Sequence, residues 1–308
     1  MIIDAHAHIF SSVDGLIGQG PVRGLDFGIA QIADDAPFQL VPPYNKSTTF
    51  PPEFLLANMD WAGVDKAVLL QGSFYGERNE EVLAACQKYP QRFKGAAFFD
   101  PWMTSARAEF DRLFGTPLFP ILKLELSDTT GLHGLHPGFQ LDDPELDWLW
   151  AELERREINL TMDLGPVGGP SYQSAAVEKI AARHPNLSIV LCHLGFPTRS
   201  MDADPALTAA WVEQIKLGEL SNIWFDLSAL PHRSEENYPY PKISEWIRRA
   251  VEIVGTEKLM WGTDVPGVTS AGTYPQLLTS YQELLDDFSD SERGRIFGGT
   301  AAQVYKFV

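Results

Sequence analysis

The chain has 308 residues, 44% of them hydrophobic, enough to close one large apolar core. Its 24 Lys and Arg stand against 41 Asp and Glu, and the formal charge of −17 argues against nucleic acid or an anionic membrane surface as a partner. Cys86 and Cys192 show no ligand spacing, the start has no basic leader and no stretch reaches membrane-spanning length, so a reduced, cytoplasmic setting is expected.

Residues 1–10 read Met-Ile-Ile-Asp-Ala-His-Ala-His-Ile-Phe, an apolar strand interrupted by three polar residues. Side chains alternate along a strand, so Asp4, His6 and His8 share one face while Ile3, Ala5 and Ala7 share the other. Two imidazoles so placed can converge on one divalent cation; the alternative is a pair of buried histidines satisfied by backbone carbonyls. Residues 11–50 are rich in Gly and Pro and carry little periodicity. Stretches of this kind are expected to form a lid-like insertion over the mouth of a fold.

From Pro51 the pattern becomes regular. Helices are expected over 52–62, 79–89, 105–114, 144–157, 174–184, 205–217 and 243–254, with a helical end capped by Ser289-Asp-Ser-Glu292. The helix over 144–157 is the clearest: Asp143 is its N-cap, Pro144 its first residue, and Leu146, Leu149, Trp150 and Leu153 form one stripe. Between the helices, apolar runs at 66–71, 95–100, 120–126, 159–164, 188–193, 222–227 and 258–264 read as strands buried on both faces. With the first strand this gives an α/β chain of eight strands, expected to close as a single-domain (β/α)8 TIM barrel over 1–308; an open doubly wound sheet is the alternative.

Chemistry in such a barrel sits at the C-terminal ends of the strands. Strand one ends in His6 and His8, strand five in Asp163, strand six in His193 and strand eight in Asp264. Closure would bring strand eight within roughly 4.8 Å of strand one, so Asp264 and the two histidines would meet. Two imidazoles with one or two carboxylates make a mixed N/O site for zinc or, second, manganese, with a position open to water.

At these residues the chain resembles the amidohydrolase superfamily, within it the amidohydrolase-related branch of decarboxylases, lactonases and hydratases. The likeness runs over nearly the whole chain, through Ile3-Asp-Ala-His-Ala-His8, the segment 55–68, Ile189-Val-Leu-Cys-His-Leu-Gly195, Met260-Trp-Gly-Thr-Asp-Val-Pro266 and Ile296-Phe-Gly-Gly-Thr-Ala-Ala. The resemblance implies a barrel in which His6, His8 and Asp264 hold the metal and His193 lies beside the bound water or the substrate. Metal-dependent decarboxylases of the branch have His where this chain has Asp163. A carboxylate can replace that ligand, and the change also resembles lactonases, some of which work without a metal. The expected activity is therefore metal-dependent hydrolysis of a small, carboxylated substrate such as a lactone, with Asp264 as the base toward water and His193 as polariser or proton shuttle. The alternatives are non-oxidative decarboxylation, metal-independent lactonase action, lactone isomerisation, or a barrel that binds without catalysis.

Arg23, Lys123, Arg199 and His232 are expected to contact substrate, Arg23 through a fork that suits carboxylates. Lys123 reads equally as an inward ion pair with Glu125 or Asp163, and the arginines as solvated loop residues. Phe74, Tyr75 and Trp102 are candidates for the pocket wall, and His133 and His136 for loop structure. The expected partner is a small molecule, with homo-oligomerisation left open.

Overall fold

The computed structural model describes residues 1–307. Eight strands lie in one parallel sheet in chain order: β1 (Ile3–Ala7), β2 (Lys66–Leu69), β3 (Phe93–Ala97), β4 (Ile121–Glu125), β5 (Asn159–Asp163), β6 (Ile189–Leu191), β7 (Ile223–Asp226) and β8 (Leu259–Met260). The ends then meet. The Ala5 amide donates to the Trp261 carbonyl at 3.0 Å, the Asp264 amide to His6 O at 2.7 Å and the His8 amide to Val265 O at 2.8 Å. Ala7 and Val265 form a parallel bridge. Gly262 permits this approach, because a Cβ there would stand 3.1 Å from both the Cβ and the amide nitrogen of His6. The sheet is a (β/α)8 barrel, as expected.

Each strand is followed by a helix that covers its outer face: α1 (Pro52–Ala62), α2 (Asn79–Lys88), α3 (Ala106–Phe114), α4 (Asp147–Arg155), α5 (Ser174–Arg183), α6 (Pro205–Lys216), α7 (Pro241–Val254) and α8 (Tyr274–Leu284). The strands are built of side chains buried on both faces, as in Ile189-Val-Leu and Ile121-Leu-Lys-Leu, and the helices add stripes such as Leu149, Trp150 and Leu153. The helix expected over 144–157 divides: Asp143 caps a 3-10 turn, Pro144–Leu146, before α4 begins. The strands expected at 188–193 and 258–264 are also shorter. After Leu191 the chain turns left-handed at His193 (φ 58°) and Leu194 (φ 53°), and beyond β8 Asp264 has φ 68°. Non-glycine residues take such angles at a cost, and here the turn swings His193 and Asp264 across the mouth of the barrel.

Residues 11–50 are an ordered excursion. The Phe10 and Phe50 amides each donate to the other's carbonyl, at 3.0 and 2.8 Å, which closes the loop at its root. Within it Val22–Gly24, Ile29–Ile32 and Phe38–Gln39 form a three-stranded antiparallel sheet. Among the described residues no helix is long and apolar enough to cross a membrane.

Candidate functional site

The centre of the mouth is set by β1. His6 and His8 are both buried, and their Nε2 atoms lie 3.1 Å apart. Each ring is fixed from behind. His8 Nδ1 lies 2.9 Å from the Leu70 carbonyl oxygen, and His6 Nδ1 lies 3.0 Å from Asp226 Oδ2. Carbonyl and carboxylate oxygens accept, so both Nδ1 atoms donate, which leaves the two Nε2 lone pairs facing inward. Burial pushes His6 down to about 4, against the pull of Asp226, so its ring is neutral at ordinary pH.

Asp264 Oδ1 enters the same point, 2.9 Å from His8 Nε2 and 3.6 Å from His6 Nε2. Three electron-rich atoms aimed at one another repel unless a positive charge lies between them. The donor set of two imidazoles and a carboxylate, with each ring nitrogen opposite held by an oxygen, fits a divalent cation. Burial raises the Asp264 carboxyl, but the positive charge of His193 works against it, and the carboxyl lies below the usual carboxylate range. Its side chain is 19% exposed and faces the cavity.

His193 stacks on His6 with ring centroids 4.9 Å apart. The Ser228 hydroxyl donates to Asp226 Oδ1, so His193 Nδ1, 2.8 Å from Ser228 Oγ, must donate to that oxygen. Its Nε2 lies 3.2 Å from Asp163 Oδ2, another acceptor. Both nitrogens therefore carry protons. The electrostatics agree: burial opposes the charge, yet Asp163, Asp264 and Asp226 raise the His193 pKa above its ordinary value.

Asp163 was expected as a metal ligand, and the structure places it elsewhere. It is held by His193 and by the Gly165 amide at 2.8 Å, outside the His6–His8–Asp264 cluster. Asp226 joins His6 and His193 instead, its Oδ1 accepting from the His193 amide at 2.9 Å. That residue went unnoticed in the sequence, although it ends β7 in Trp-Phe-Asp and meets the same strand-end rule as Asp163. Lys123 is buried beneath the cavity with Nζ 3.9 Å from Glu125 Oε2, the inward pair rather than a substrate contact. Burial with the repulsion of Asp163 lifts Glu125 to about 7.

A cavity of about 430 Å³ opens above these groups. Its lining includes His232, as expected, together with Phe74 and Tyr75, while Ile32, Phe38 and Leu40 of the insertion form the roof. Arg23 and Arg199 are not in it. Arg23 is exposed on the lid sheet and bonded to Gln31, because its strand turns that face outward; Arg199 is paired with Asp202 and Glu236. Trp102 packs on Phe139 and His136. The cation that does line the cavity is Arg233, one residue after His232. Its guanidinium stacks 3.7 Å from the Phe196 ring centroid, its Nε is buried without a partner, and among the described residues it forms no ion pair. A larger groove, about 760 Å³, lies at the opposite end of the barrel, but its cations are paired, Arg156 with Asp111 and Lys306 with Glu157.

A barrel that gathers imidazoles, carboxylates and a divalent-cation point at its C-terminal mouth is built as a hydrolytic enzyme. The chain belongs to the amidohydrolase family, whose sequence model matches residues 3–307. It is 25% identical over 308 residues to an L-fucono-1,5-lactonase of Burkholderia ambifaria, covering 99% of this chain and 95% of that one. In structure it is similar to an amidohydrolase of Burkholderia multivorans with bound zinc (TM-score 0.73, 19% identity, 99% of each chain). It also resembles a probable 2-pyrone-4,6-dicarboxylic acid hydrolase of Acinetobacter baumannii with citric acid bound (TM-score 0.70, 19% identity, 99% of each chain).

Proposed function

We propose that the protein hydrolyses a lactone bearing a free carboxylate, with zinc held by His6, His8 and Asp264. The observation that carries this reading is the convergence of His6 Nε2, His8 Nε2 and Asp264 Oδ1 within 3.6 Å beneath a cavity. The lactonase and pyrone hydrolase among its relatives support the reaction class, and unpaired Arg233 supports the charge of the substrate.

A divalent ion held at this point lowers the pKa of water toward about 7 and polarises a carbonyl. The chain's own groups supply the rest. Asp264 keeps one oxygen toward the histidines and turns the other to the cavity, where it takes a proton from the attacking water and returns it to the ring oxygen as that departs. His193, protonated and anchored by Ser228 and Asp163, presents a positive edge beside the reacting carbon. Arg233 fixes the carboxylate through its planar fork, braced by Phe196. The roof residues Ile32, Phe38 and Leu40 keep bulk water from the reacting bond.

The test runs two panels on freshly purified protein: lactones followed by acid release at constant pH, and aromatic and unsaturated acids followed by CO₂. Acid release from carboxylated lactones, lost on chelation, is the expected result; CO₂ release without acid release would overturn it. Arg233→Met should raise KM for a carboxylated lactone by about 10–100-fold, the loss of one charged contact, and leave an uncharged lactone unaffected.

A further inference from the structure

Tyr75 lies in the loop between β2 and α2 and lines the cavity beside the metal point. Its carbonyl oxygen accepts from Arg78 Nη2 and from the Asp14 amide, each at 3.2 Å. The ring stacks on Phe10 with centroids 4.6 Å apart and leans on His8 at 4.8 Å. Its third neighbour is Gly267, in the loop after β8. A Cβ at that glycine would stand 3.0 Å from the phenol oxygen. The side chain is thus held in one place on three sides.

The phenol proton has no acceptor among the described residues. Hydroxyls in closed sites seldom leave that donor unused. A phenol is protonated at ordinary pH and can donate. A neutral donor fixed before substrate arrives costs no reorganisation when charge develops on a nearby oxygen.

We propose that Tyr75 is a catalytic residue of the hydrolysis described above, donating its O–H to the carbonyl oxygen of the bound lactone while water adds. In that step the water oxygen bonds to the carbonyl carbon and the π pair moves onto the carbonyl oxygen, where Tyr75 holds it. The proton lost by water goes to Asp264. On collapse the pair returns, the ring C–O bond breaks, and the ring oxygen takes that proton from Asp264. Tyr75 ends with the proton it began with, so no co-reactant is needed.

The experiment measures kcat and KM for the best carboxylated lactone in wild type, Tyr75→Phe, Gly267→Ala and the double variant. Phenylalanine keeps the stack on Phe10 and His8, so metal content and circular dichroism should match wild type. In Tyr75→Phe, kcat should fall about 10²-fold, the usual loss of one such donor, with KM changed by less than about twofold, since the contact strengthens in the transition state. Gly267→Ala presses on Oη and should also lower kcat, but it should cost nothing further once Oη is gone, the coupling that a shared contact produces. Turnover in Tyr75→Phe within about twofold of wild type, or a Gly267→Ala loss that persists undiminished in the double variant, overturns the role. A wild type inactive on every lactone removes the hydrolytic reading itself, and this role with it.

Discussion

At the scale of single residues, ring nitrogens decide what the mouth of the barrel can do. His6 can offer its Nε2 to a cation because Asp226 occupies its other nitrogen, and His8 because the Leu70 carbonyl does the same. Such outer partners fix tautomer and orientation together. Asp226→Asn keeps the shape and removes the charge, so zinc affinity should fall by about 10–100-fold, the usual cost of losing a ligand's partner. Calorimetric titration of metal-free protein measures it, and an unchanged dissociation constant would show that Asp226 does not tune His6. These residues differed in how far the sequence revealed them. His6 and His8 were legible because strand parity puts them on one face, and Asp264 because closure puts it beside them. Asp163 was expected at the metal, but being at a strand end does not say which neighbour a carboxylate meets, and this one meets His193. Arg233 was missed although its neighbour His232 was named; both line the cavity, and nothing in the sequence singles out the second of the two.

At the scale of elements, the join between β8 and β1 carries the third polar residue of the first strand. Asp4 is fully buried, and it accepts from the Thr263 amide at 2.9 Å, Thr263 Oγ1 at 2.6 Å and the Tyr274 hydroxyl at 2.8 Å. It thereby ties the residue before Asp264 to β1 and to α8. Thr263→Val conserves volume while withdrawing a donor from a buried carboxyl, so the folded state should lose about 1.5–3 kcal/mol, the range for hydrogen bonds to charged groups. Urea unfolding reads this out, and stability equal to wild type would mean that the Asp4 network is not what secures the join. The regular units were legible because buried parallel strands and striped helices have clear periods. The lid was not: its short antiparallel strands offer too few residues for an alternation to stand out, and their pairing is fixed by the Phe10–Phe50 closure. The turns at His193 and Asp264 also escaped detection, because left-handed backbone at non-glycine residues leaves no mark in composition.

At the scale of the whole molecule, closure of the sheet creates the site. Residues from the two ends of the chain contribute ligands to one point, and neither end could hold a cation alone. The formal charge of −17 would repel an anionic substrate such as the one proposed at long range, so its capture would depend on local positive charge, from Arg233, protonated His193 and an ion at the proposed site. The most direct measurement is metal analysis of the purified protein, joined to zinc titration of the metal-free wild type and of His8→Ala. One equivalent of divalent metal per chain is expected, with hydrolysis that follows its removal and return, and binding lost in the variant. Protein without stoichiometric metal, hydrolysing at full rate after chelation, would contradict that expectation.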